Sequence, residues 1–184
     1  LDEGVQRATA AVAEKNPDLS PEERRRIAEA VGVAAVKYAD LSQGRTSDYI
    51  FSFSKMLAME GNTAPYLMYA YARIKSIERK GGLGEGDRPT AAPRLDTPAE
   101  LALGKKLLQF ADVAADVAAT LRPNILTNYL YELSQAFSVF YENCPVLKAE
   151  TDELRMSRLA LCDLVARTLR CGLGLLGISV LEQM

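Results

Sequence analysis

Apolar residues recur at helical spacing through most of the chain, and the longest run follows Pro123. Leu126, Tyr129, Leu130, Leu133, Ala136, Phe137, Phe140, Tyr141 and Cys144 keep one face for about five turns. Pro123 is placed to open that helix and Pro145 to stop it. Two further starts are written in the capping code. Ser20-Pro21-Glu22-Glu23 sets an N-cap, a proline at the first helical position and a capping-box Glu in register, predicting a helix through Ala28, Val31 and Ala35 toward Tyr38. Thr97-Pro98-Ala99-Glu100 repeats the signal and predicts a helix through Leu107, Leu108 and Phe110 to about Leu121. Another helix is expected around Tyr66 to Ile77, and a last one from about Asp152 to Cys171, ended by Gly172 and followed by a short apolar tail from Gly174 to Met184.

The other patterns are weak. Alternation suited to a strand is confined to Asp48-Tyr49-Ile50-Phe51-Ser52-Phe53. Gly81-Gly82-Leu83-Gly84-Glu85-Gly86-Asp87 opens a linker over residues 81–96, because no element tolerates that many glycines. The pattern therefore predicts an all-α fold, a helical bundle.

Composition removes several functions. The chain has 184 residues, 48% of them hydrophobic and none of them histidine. Without histidine the commonest general base and the commonest zinc ligand are both gone. Cys144, Cys162 and Cys171 form no C-x-x-C pair and read as reduced thiols on helices. No apolar run approaches the roughly 18 residues of a membrane span. The glycine-rich stretch at 81–86 lacks G-K-[ST] and a preceding strand, so it is not a phosphate loop. A net charge of −2 means any nucleic-acid surface must come from local clustering of Lys and Arg. The start, Leu1-Asp2-Glu3-Gly4, carries no Met and reads as the beginning of a fragment. Apolar residues near it, such as Val5, Val12 and Ile27, are expected to lose cover if so, and to drive dimers in a crystal. A helical protein–protein interaction module would show the same periodicity.

Three stretches narrow the choice. They are Ala34-Ala35-Val36-Lys37-Tyr38-Ala39-Asp40-Leu41-Ser42, the run Met59-Glu60-Gly61-Asn62-Thr63-Ala64-Pro65-Tyr66-Leu67-Met68-Tyr69-Ala70-Tyr71-Ala72-Arg73, and a C-terminal set. That set comprises Tyr129 to Leu133, Phe140-Tyr141, Pro145-Val146-Leu147 and Gly172 to Ile178 before Glu182 and Met184. In identity and order they resemble arginyl-tRNA synthetases along the whole chain. The resemblance implies an α-helical anticodon-binding domain of a class I aminoacyl-tRNA synthetase over residues 48–184, preceded over residues 1–47 by a helical connector from the end of the catalytic domain. It implies tRNA(Arg) and the catalytic domain of the same protein as partners, a cytoplasmic setting, and neither membrane nor DNA. The H-I-G-H and K-M-S-K-like elements of the family's catalytic domain have no counterpart here. The fragment is thus expected to be inactive alone, with no cofactor of its own, while the parent ligase uses ATP and Mg.

The resemblance also implies which residues meet RNA. The family pockets the central anticodon cytosine, and the matching positions are Tyr69, Arg73, Tyr141 and Met184. Tyr69 and Arg73 are four apart and share a helix face. Tyrosine rings and a guanidinium plane suit unstacked bases, and the Met184 carboxylate could accept from a base amine. Lys75 and Arg79, with Lys80, are expected to continue that face as phosphate contacts, whereas Arg24-Arg25-Arg26 reads as solvated surface. Periodicity alone puts Tyr141 on an apolar stripe, where core packing is the simpler role. The Gly61-Asn62-Thr63 turn is expected to be structural, with positive φ at Gly61 and caps from Asn62 and Thr63. Met68, Gln183, Ser52 and Ser54 depart from the family's usual residues, and Gln183 weakens the expectation of a phosphate contact from the tail.

Overall fold

The computed structural model describes residues 1–15, 19–44, 46–84 and 86–184; Glu85 of the expected linker lies outside the described residues. The described residues form helices and no strand: α1 (Asp2–Lys15), α2 (Pro21–Leu41), α3 (Phe53–Met56), α4 (Ala64–Lys80), α5 (Pro98–Leu108), α6 (Phe110–Thr120), α7 (Pro123–Asn143) and α8 (Asp152–Leu175). The stretch before Phe53 is irregular, since it pairs with no neighbour that could make it a strand.

Both predicted capping boxes form. Ser20 Oγ accepts the Glu23 amide while Glu23 reaches back to the Ser20 amide, and Thr97 and Glu100 do the same at α5. Glu100 has a second duty. It is fully buried, and its Oε1 accepts from Arg158 Nε at 2.8 Å. Arg158 also donates to the Pro145 carbonyl at 2.9 Å, so the start of α5, the turn after α7 and α8 are joined at one buried ion pair. Burial raises the Glu100 carboxyl pKa, but hydrogen bonds from Arg158 and Thr97 outweigh that and hold it below its ordinary 4.5.

Two expectations about helix ends give way to packing. The helix from Thr97 does not run unbroken to Leu121, because Gln109 interrupts it. The Lys106 carbonyl accepts both the Gln109 amide at 3.2 Å and the Tyr129 hydroxyl at 2.9 Å, so a side chain from α7 intrudes where the ladder breaks. Phe110 then sits with its ring 5.9 Å from that of Tyr129. Gly172 likewise does not end α8, which continues to Leu175. Gly172 is small because α7 comes so close: a Cβ there would meet Leu130 Cδ2 at 2.6 Å. The left-handed residue that ends α8 is Gly177, at φ 69°. The Ile178 amide bonds to the Leu173 carbonyl and the Gly177 amide to the Gly174 carbonyl, a Schellman motif with Ile178 buried behind it.

The core runs between α4, α7 and α8, around Leu67, Met68, Ile74, Leu130, Phe140 and Leu169. The α1–α2 hairpin is sealed to it by Tyr38, whose hydroxyl lies 2.6 Å from Asn62 Oδ1 and 2.9 Å from the Thr127 carbonyl. Asn62 is therefore a tie rather than a cap, donating onward to Asn128, while Thr63 alone caps α4 and Gly61 takes φ 73°. The apolar residues of the first two helices are not left bare: Val12 and Ile27 are buried and Val5 is half-buried. The reason is a close backbone approach, for a Cβ on Gly32 would meet Val5 Cα at 2.6 Å. The linker is tied to α8 at two points, where the Gly81 carbonyl is held by Arg155 and the Arg94 amide by Ser157.

These contacts predict two stability results. Alanine in a helix interior gains about 1 kcal/mol over glycine, against an overpacking cost of about 1–3 kcal/mol. At Gly172 the obstacle is a leucine side chain that can turn away, so Gly172→Ala should shift urea stability by about 1 kcal/mol or less. At Gly32 the obstacle is backbone, so Gly32→Ala should lose well over 2 kcal/mol and free α1 to proteolysis; equal effects at the two sites would contradict this packing. For Glu100, whose pKa is lowered on folding, the stabilising contribution is complete above about pH 4.5 and is lost as pH falls through the lower folded value. Glu100→Gln, which keeps the capping box, should cost about 3 kcal/mol at pH 7. The gap from wild type should close as urea titrations are moved below pH 4.5.

Candidate nucleic-acid interface

Helix α4 buries Leu67, Met68, Tyr71, Ile74 and Ile77, which leaves Tyr69 and Arg73 facing outward. Tyr69 is 45% exposed. The Arg73 guanidinium lies over the Tyr141 ring, 4.7 Å from its centroid. Tyr141 in turn stacks on Phe137 one helical turn earlier, with centroids 6.0 Å apart and planes at 28°. Since Phe137 is buried and Tyr141 half-buried, the three groups make a column that rises from the core of α7 and ends at a cation in solvent. Among the described residues no carboxylate pairs with Arg73; Glu78, its nearest candidate by sequence, is taken by Lys75 at 2.6 Å.

Tyr69 stands at a second feature. With Met184, Met59 and Leu57 it borders a mostly apolar cavity of about 610 Å³, floored by Val12, Ile27 and Val31 of the α1–α2 hairpin. That volume lies inside the range of about 300–1,000 Å³ typical of small-molecule pockets. Tyr69 and Met184 thus share a cavity, Arg73 and Tyr141 share a stack, and both features sit on the outer side of α4. Phe137, which supports Tyr141 from below, was not among the expected site residues, though its i,i+4 spacing from Tyr141 is visible in the sequence.

Lys75 and Arg79 do not join them. At about 100° per residue, Lys75 falls about 120° and Arg79 about 80° around the helix from Tyr69. Lys75 is tied to buried Glu78. Arg79 turns to the C-terminal tail, where Nη1 donates to the Glu182 carbonyl at 3.4 Å and lies 3.9 Å from its carboxylate. Lys80, about 20° from Tyr69, is the exposed cation that does continue the face. A polar groove nearby contains Lys75, Arg88, Arg167 and Arg170, but Asp87, Asp163 and Glu182 line it too. Its positive charge is therefore largely matched. Glu78 has one oxygen buried without a hydrogen-bond partner. Burial raises its pKa, and the bond from Lys75 offsets this only in part.

Among the departures, Met68 is wholly buried and acts as core filler, Ser52 and Ser54 bond to each other at 2.9 Å, and Gln183 is exposed. Cys144 and Cys162 are buried and Cys171 is exposed. No described helix is long and apolar enough to cross a membrane, and no described group of acids and cysteines could hold a metal ion.

Comparison with known proteins bears on the family and the fold. The family model described as the DALR anticodon binding domain matches residues 67–184, from α4 to the tail. The model described as the catalytic domain of class I (R) tRNA synthetases matches residues 1–53. Arginine–tRNA ligases from Synechocystis sp. and Laribacter hongkongensis are 57% and 56% identical over the full chain, which covers 32% and 31% of those proteins. The chain spans about a third of the length of the relatives it matches. Two solved structures, the arginyl-tRNA synthetases of Thermus thermophilus and Plasmodium falciparum, superpose over the full chain with a TM-score of 0.87, at 34% and 33% identity, covering 31% and 32% of those chains. The fold, the residue matches and these relatives agree: the chain belongs to the DALR anticodon binding domain family.

Proposed function

We propose that this chain is the tRNA-reading part of an arginine–tRNA ligase, and that it holds the anticodon loop of tRNA(Arg) on the outer side of α4. The parent enzyme joins arginine to that tRNA with ATP and Mg, in the cytoplasm. Residues 1–47 connect to its catalytic domain, and residues 48–184 carry the RNA. The observation that supports this most is the column Arg73–Tyr141–Phe137 standing beside the cavity shared by Tyr69 and Met184. An unstacked base needs a flat partner and an apolar pocket, and here one lies next to the other. The outer face of the Arg73 guanidinium is free to stack on a base or to give forked hydrogen bonds to one.

In this reading the loop base at the centre of the anticodon enters the cavity between Tyr69 and Met184, while a neighbour stacks on the Arg73–Tyr141 column. Each base–aromatic stack contributes about 1–3 kcal/mol. Phosphate contacts are few, because Lys75 and Arg79 are occupied by Glu78 and Glu182 and the net charge is −2. Recognition then leans on stacking and shape, with Lys80 facing the backbone.

The test is a titration of the chain with an anticodon stem–loop of tRNA(Arg). Arg73→Ala and Tyr141→Ala should each weaken binding by about tenfold, or 1.4 kcal/mol, with helical circular dichroism unchanged. Loss of helicity in either variant would assign that residue to the core instead. Changing the central anticodon base should weaken binding to the wild-type chain; equal affinity for both RNAs would sink the base-reading role. Lys80→Ala should flatten the dependence on salt by about 0.7 in the log–log slope, one single-strand phosphate contact. Arg79→Ala should leave that slope where it was.

A further inference from the structure

We propose that Glu182 is a positioning residue for the base pocket: held by Tyr71 and Arg79 of α4, it latches the C-terminal tail so that Met184 stands against Tyr69. The inference rests on the base-reading role above and says how the C-terminal side of that pocket is kept in place.

The tail is fixed in two stages. The Schellman motif at Gly177 turns it off α8, Lys37 Nζ donates to the Gly177 carbonyl at 2.8 Å, and Ile178 is buried. Val180 and Leu181 then lie half-buried against the core. Past Leu181 this support is interrupted, since Glu182 and Gln183 are exposed and only Met184, half-buried at the cavity, packs against the core again. A segment with so little burial frays unless something ties it. Glu182 supplies the tie. Its carboxylate accepts from the Tyr71 hydroxyl at 3.0 Å and faces Arg79 at 3.9 Å, and its backbone carbonyl accepts from Arg79 at 3.4 Å.

Three features suit this set of contacts to a latch. Tyr71 and Arg79 are two turns apart on α4, so Glu182 is gripped from both directions along one rigid helix. Met184 is two residues further on, within about 7 Å of extended chain, so fixing Glu182 confines Met184 to the cavity mouth. The Tyr71 ring is buried, and its pKa is pushed up to about 12 by burial, then by the hydrogen bond to Glu182 and the Glu182 charge, so the phenol keeps its proton for the bond. The grip is also releasable, because Glu182 and Arg79 are about half exposed and such pairs hold weakly. Arg79, which the sequence suggests as a phosphate contact, acts here on the tail.

The experiment compares affinities of the 184-residue chain for two stem–loops, one with cytosine and one with adenine at the centre of the anticodon. Tyr71→Phe keeps the buried ring and removes only the donor; Glu182→Ala removes the carboxylate that Tyr71 and Arg79 face, at an exposed site, and leaves the backbone carbonyl. In both variants affinity for the cytosine loop should fall about five- to tenfold, affinity for the adenine loop should change less than twofold, and the melting midpoint should hold. Adding Glu182→Ala to Met184→Ala should cost no further affinity, because Glu182 acts through Met184. Unchanged discrimination in both single variants, or additive losses in the double variant, would overturn the latch while leaving the base-reading role standing. If the wild-type chain does not distinguish the two loops, the base-reading role falls and the latch with it.

Discussion

Helix α4 is wedged among α2, α7 and α8, and Leu67, Met68, Tyr71, Ile74 and Ile77 on its inner side are almost sealed from solvent. Burying side chains of that size is worth about 1.5–3 kcal/mol each. Contacts on the outer side, such as an exposed cation over a ring, contribute about 0.5–1 kcal/mol. The inner face therefore fixes the rotation of the helix, and the outer face accepts what is left. Given a turn of about 100° per residue, Tyr69, Arg73 and Lys80 must point outward together. Tyr71 must point inward, and Lys75 and Arg79 must fall to the side, beside Glu78 and the tail.

That rotation also distributes the charge. Two of the cations nearest Tyr69 and Arg73, Lys75 and Arg79, are matched by acids, and the groove behind them is close to balanced. A surface built this way has little long-range pull on RNA. It has instead a rigid aromatic column, an apolar cavity and one guanidinium with an open face. Affinity from such parts depends on how well they are held in place, which is why the Glu100–Arg158 pair and the Tyr38 hydroxyl matter at a distance. Arg158 and Glu100 fix the turn after α7 that follows Tyr141, and Tyr38 fixes the hairpin that floors the cavity.

Much of this was legible in the sequence where the cause is local. The starts at Ser20 and Thr97 are capping boxes complete within four residues, so they could be read without any tertiary knowledge. The break at Gln109 could not, because it is made by a hydroxyl from another helix. Gly172 misleads for a related reason: a glycine near a helix end has the same local signature whether it caps the helix or admits Leu130. On the outer side of α4 the family resemblance picks out Tyr69, Arg73, Tyr141 and Met184 as candidates, and helical geometry alone would have removed Lys75 from the face of Tyr69 and Arg73. The partner of Arg79 lies 103 residues away and has no signal in the sequence.

The central claim is that an unpaired base enters the cavity between Tyr69 and Met184. The five methionines make it directly observable. Met59 and Met184 line the cavity, whereas Met68 is sealed in the core and Met156 lies on α8. With carbon-13 on the methionine methyls, addition of the cytosine-centred stem–loop should move the Met184 and Met59 resonances upfield by the ring current of the base. The Met68 and Met156 resonances should stay where they are. Saturated binding that leaves Met184 and Met59 unmoved would contradict the account.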